Sequence, residues 1–187
     1  MKERKYKEDY KLITRIDPDT GREKRVAEYV GKYYRIPMEA AALKRFMLAC
    51  IGLFALSFLT LAVYIMLNSP SAYCMYVMPI AAIALFPMLY WGMGLYSMWR
   101  APEKMTSVQK ETGVGRVLRS ALGCMVFPAL ACIGDIVFLC LGGDFAGEWL
   151  ALLMMAASAV SAGMCFVRAR RVFNSIEVLS AEGGSLA

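Results

Sequence analysis

Residues 120–141 read SALGCMVFPALACIGDIVFLCL, and this stretch sets the class of the chain. It carries one charged side chain, Asp135, among small and apolar residues. As an α-helix rising about 1.5 Å per residue, it reaches across the roughly 30 Å of hydrocarbon in a bilayer. A helix of that length on a soluble domain would need a polar face, and this one has none. Three more runs share the property: Phe46 to Leu67, Ala72 to Trp99 and Trp149 to Val167. The predicted spans are 43–67, 72–99, 120–141 and 147–167, which make an all-α integral membrane protein, a bundle of four transmembrane helices. The 59% of hydrophobic residues and the mean hydropathy of +0.49 exceed what a soluble core of 187 residues can hide. Residues 1–45 precede the first run, so it reads as a retained span rather than the short apolar region of a signal peptide.

Charge gives the orientation. All 21 Lys and Arg fall in residues 1–45, in the link 100–119 or after the last span, and the short links 68–71 and 142–148 have none. The positive-inside rule then places both termini and the 100–119 link in the cytoplasm, in a plasma or inner membrane. Lys44, Arg45, Arg100, Arg116, Arg119, Arg168, Arg170 and Arg171 are the expected contacts with anionic lipid headgroups. Trp91, Tyr96 and Trp99 at the inner side, with Tyr73, Tyr76 and Trp149 at the outer, read as interfacial belts. The formal charge of +6 is thereby a topology signal, and no nucleic-acid partner is expected.

The segment 1–42 is built differently. Asp17-Pro18-Asp19-Thr20-Gly21 has the residues of a tight turn between Tyr10–Ile16 and 24–36, both rich in β-branched and aromatic residues. A cytoplasmic hairpin of two or three antiparallel strands is expected, followed by a short helix over 38–45. An isolated hairpin is barely stable in water, so it needs a neighbour: a second copy, another protein or the membrane surface. In the tail 168–187 the expectation is a short amphipathic helix, with Val172, Ile176 and Leu179 on one side, and then a disordered end. Gly113-Val114-Gly115 lacks the GK[ST] of a phosphate loop and reads as the end of a short helix that begins near Pro102.

Candidate chemistry is sparse. The chain has no histidine, which removes the commonest general base and the usual neutral zinc ligand. No cofactor, no metal and no enzymatic activity are expected. The six cysteines lack metal-ligand spacing, and those inside the spans read as small packing residues. Asp135 shares a helical side with Cys124, Pro128 and Ala131, whereas Val126, Leu130, Ile133 and Val137 form an aliphatic stripe nearly opposite. It should therefore point into the bundle, with Tyr64, Asn68, Tyr73 and Tyr76 at comparable depth. With no Lys or Arg on that side it either stays neutral and ties helices together, or binds a cation or a polar substrate. Pro87 and Pro128 fall near mid-bilayer and kink the second and third spans. On the fourth span, Ala159 and Gly163 form a small-xxx-small pair for close helix packing. Three functions are left open. The first is a non-enzymatic accessory or regulatory subunit of a membrane complex, docking a partner through its cytoplasmic segment. The second is a small oligomeric transporter or channel using Asp135 and the kinked spans, and the third is a membrane-embedded enzyme.

Overall fold

The computed structural model describes residues 9–16, 23–67, 69–101 and 104–179. It contains four helices long and apolar enough to cross a membrane. The first is α1, Ala40–Met66. The second is broken at Ala84 into α2, Met78–Ile83, and α3, Leu85–Trp99. The third opens as α4, Ser107–Lys110, passes through one π-helical turn at Glu111–Gly115 and continues as α5, Arg116–Cys140. The fourth is α6, Phe145–Asn174. Strands β1 (Tyr10–Ile16), β2 (Glu23–Tyr29), β3 (Tyr33–Arg35) and β4 (Glu177–Leu179) lie beyond one end of the bundle, called here the sheet end. The connections α1–α2 and α5–α6 form the short-link end.

The third and fourth long helices bury residues alternately three and four apart. On α5 these are Val117, Ala121, Cys124, Pro128, Ala131 and Asp135. On α6 they are Glu148, Ala151, Met155, Ser158, Ala162, Cys165, Ala169 and Val172. This 3.5-residue repeat is the seam of knobs-into-holes packing. Helix α6 packs against α1 and α5, α3 against α5, and α3 closes the ring on α1. Ser57 and Ser158 join α1 to α6 through hydroxyl groups 3.0 Å apart. Glycines set the closest approaches. A Cβ at Gly94 would stand 3.0 Å from the Val117 backbone nitrogen, and one at Gly123 would stand 2.8 Å from the Pro87 ring. At the α5–α6 connection Gly142 takes φ +100°, a left-handed turn that a side chain would strain.

Trp91 is not part of an interfacial belt. It lies on the buried seam of α3, fully enclosed, with Phe54 of α1 edge-on at 5.3 Å. Tyr96, Trp99, Tyr73 and Trp149 are exposed as expected. The expected stripe of Val126, Leu130, Ile133 and Val137 is exposed as well, opposite the buried Asp135 face.

The sheet end departs further from the sequence reading. β1 and β2 pair antiparallel from Tyr10↔Tyr29 to Ile16↔Glu23, but the turn 17–22 lies outside the described residues. β3 does not extend this hairpin: it pairs with β4, Tyr33↔Leu179 to Arg35↔Glu177. The tail is thus not a helix through Leu179. Helix α6 ends at Asn174, and the next residues form a strand because the backbone groups of β3 offer them a ladder. Residues 180–187, expected to be disordered, lie outside the described residues. On its other side, Tyr34 exchanges two backbone hydrogen bonds of 2.8 Å with Met105.

The neighbour that the hairpin needs is supplied by the chain itself. Ser107 donates its hydroxyl to Asp9 Oδ2 at 2.6 Å and its backbone N–H to the Tyr29 hydroxyl at 3.1 Å. Thr106 and Gln109 form a reciprocal cap at the start of α4, and the Lys110 ammonium lies over the rings of Tyr34 and Phe173. Gly113-Val114-Gly115 does not end a helix here. It is the buried π turn joining α4 to α5, small because Met98 of α3 packs on it, with its Cγ 3.1 Å from where a Cβ at Gly113 would stand. The expected helix start at Pro102 lies outside the described residues.

Candidate functional site

At the short-link end, three elements bring two carboxyl groups into the interior. Asp135 comes from the last turns of α5 and is fully buried. Glu148 comes from the first turn of α6, where Asp144 accepts a hydrogen bond from the Ala146 N–H and starts the helix. A helix N-terminus is a favourable place for a negative group. Glu148 is also fully buried. The third element is the turn Pro70–Tyr73, which follows α1.

Glu148 has clear partners. The Ser71 backbone N–H donates to its Oε1 at 2.6 Å and the Ser71 hydroxyl donates to its Oε2 at 2.8 Å. One carboxyl group therefore ties the start of α6 to the turn after α1, and both of its oxygens are engaged as acceptors. Asp135 differs. Among the described residues neither of its oxygens has a hydrogen-bond partner, and neither does the hydroxyl of Tyr64, which is fully buried on the seam of α1. Asp135 and Glu148 are near enough to repel one another, and Tyr64 feels the charge of both. The side chain of Ser71 is within reach of Asp135 and Tyr64, yet its single hydroxyl proton is already given to Glu148. A buried acceptor without a donor costs about 1–3 kcal/mol, and more when charged.

No positive charge offsets the pair. The sequence has no Lys, Arg or His between residues 46 and 99 or between 120 and 167. Among the described residues no group of three or more His, Cys, Asp or Glu is placed to hold a metal ion.

Of the polar residues expected around Asp135, Tyr64 is brought to it. Tyr76 is half exposed but feels its charge. Tyr73 is exposed and lines a shallow cleft of 410 Å³ with Leu67 and Pro79, whose lining includes neither carboxyl group. Asn68 lies outside the described residues. Pro128 is buried two seam positions before Asp135, and Pro87 rests on Gly123. Gly163 meets the Met125 sulfur of α5, and Ala159 is half-buried on the same helix. At the sheet end, Lys44, Arg45, Arg100, Arg119, Arg168, Arg170 and Arg171 are exposed and Arg116 is partly covered. Arg100 lies over the Tyr96 ring and Arg116 over the Tyr90 ring.

The sequence reading gave Glu148 no role, since it stands where the link 142–148 and the span 147–167 overlap. Two signals could have found it: Asp144 as a helix N-cap places it one turn inside α6, and it heads the three-four repeat that continues through Ala151 and Met155. No protein-family model, no curated protein and no solved structure matches this chain.

Proposed function

We propose that the protein is a multi-pass membrane protein with both termini and the 100–119 link in the cytoplasm, and that it is a small transporter whose buried carboxyl pair takes up a cation. The observation that carries this reading is Asp135: fully buried, with both oxygens unpartnered, beside a second buried carboxyl group and without a compensating base. In a low-dielectric interior two such groups cannot both stay charged unless something positive joins them. A tie between helices would instead have its hydrogen bonds made, as Glu148 does.

Exchange with either side requires the bundle to open. The second span is broken at Ala84, three residues before Pro87, and Pro128 lies inside the span that carries Asp135, so both have a place to bend. The test is proton or sodium flux in proteoliposomes. Wild type should conduct above protein-free liposomes. Asp135→Asn should fall to that background while melting as wild type does, because the amide keeps the size and removes the charge cycle. Equal flux in both proteins refutes the transport reading.

Orientation has its own test. An impermeant maleimide added to intact cells should label the exposed Cys140 and leave a Lys5→Cys reporter untouched. Labelling at position 5 places the N-terminus outside.

A second reading, an accessory subunit that docks a partner through its cytoplasmic hairpin, is favoured by Leu12 and Ile16. They are 73% and 70% exposed, two of the largest apolar exposures outside the helices. Deleting residues 1–31 should leave the bundle monodisperse in detergent and remove any stoichiometric co-purifying protein. Deleting 1–36 also removes β3 and strands Met105 and β4 without partners, so that protein should melt lower. Full retention of a partner after the 1–31 deletion ends the docking reading.

A further inference from the structure

We infer that the cation is a proton and that Asp135 carries it, with Glu148 serving as the fixed acceptor of the pair. The inference rests on the site reading above but not on transport being shown. Its first ground is the asymmetry of the two groups. Both oxygens of Glu148 accept hydrogen bonds from one residue, so its carboxylate charge is met by the Ser71 N–H and hydroxyl. Asp135 has two free oxygens, and a proton can join either without breaking anything.

The second ground is the oxygen inventory. Calcium takes about six to eight oxygen ligands, and magnesium demands a near-octahedral set. Here the Ser71 N–H and O–H point at Glu148 as donors and face a metal ion with the wrong polarity. That leaves the Asp135 carboxyl group and the Tyr64 hydroxyl as uncommitted oxygens among the described residues. These three oxygens fall short of the roughly six that magnesium requires and the six to eight of calcium, whereas a proton needs one. The titratable groups facing Asp135 are Tyr64 from α1, Tyr76 from the segment before α2, Cys132 from α5 itself and Glu148 from α6. None of these groups carries a positive charge, so none offsets the charge of an ionised Asp135. On release the O–H bond of Asp135 breaks and the proton passes to water on whichever side the bundle has opened. The Tyr64 hydroxyl is then the nearest unspent donor for the carboxylate left behind.

Infrared difference spectroscopy of the whole protein in lipid nanodiscs, between acid and alkaline buffer, tests this. Wild type should show one band of a buried protonated carboxyl group that moves in heavy water and disappears as pH rises. Asp135→Asn should lack the band, and Glu148→Gln should keep it at a displaced frequency. If Asp135→Asn does not fold, Asp135→Glu decides, and should show the band displaced. A wild type without such a band, a band that survives in Asp135→Asn, or one that Glu148→Gln alone removes overturns the assignment. So does loss of the band on adding sodium chloride at constant pH, with choline chloride as control, because the site would then exchange sodium. The band present with no flux in liposomes leaves the proton assignment intact and refutes transport; flux without the band does the reverse.

Discussion

Replacing Glu148 by leucine lowers the melting temperature of the purified protein far more than replacing it by glutamine. The leucine keeps the volume and apolar contact of a helix residue but removes both acceptors. The Ser71 N–H is then left buried without its partner, at about 1–3 kcal/mol, and the Ser71 hydroxyl keeps only the Ser69 hydroxyl 3.4 Å away. Glutamine keeps one carbonyl oxygen for the N–H, and its amide can donate to the Ser71 oxygen if that hydroxyl turns. Its cost is the loss of one charge-assisted bond. Thermal unfolding in detergent, followed by light scattering or tryptophan emission, compares the two. Equal losses would mean that the negative charge itself, rather than the two hydrogen bonds, holds the turn Pro70–Tyr73 to α6.

Gly123→Ala is expected to destabilise by about 1–3 kcal/mol, the usual range for overpacking, while the same change at Gly163 costs less and at Gly52 costs nothing. The three sites differ only in what the added carbon meets. At Gly123 it stands 2.8 Å from the Cβ of Pro87, whose ring cannot rotate away. At Gly163 it meets the Met125 sulfur at 3.2 Å, the far end of a flexible chain that can yield. At Gly52 there is no heavy atom within 4 Å, and alanine should gain a little from its better helix propensity. The measurement is the order of melting temperatures among the three variants. A Gly123→Ala protein as stable as wild type would show that the second and third long helices are not held by this contact.

The apolar slab was legible in the sequence because lipid-length hydropathy is a property of each segment alone. Helix ends were not. The third helix runs back past Arg116 and Arg119 to Ser107, since backbone hydrogen bonds continue where hydropathy stops. The fourth extends to Asn174 for the same reason. Asp135 stood out as the single charge in its run, and its orientation followed from helical spacing. Glu148 was passed over because it stands at the edge of the span 147–167, where a charge reads as part of the wet link. The β3–β4 pairing was out of reach for a different reason: it joins residues 33–35 to 177–179, and no local pattern encodes a partner that distant.

That pairing also orders events during synthesis. The partner of β3 belongs to the last described stretch of chain to be made, so β3 pairs with Met105 only after the first two long helices exist and keeps one edge open while the third and fourth are produced. The small sheet can close only once residues 177–179 have been made. A ribosome stalled before residue 177 leaves an unpaired strand edge, a surface of the kind that chaperones and proteases recognise in incomplete proteins.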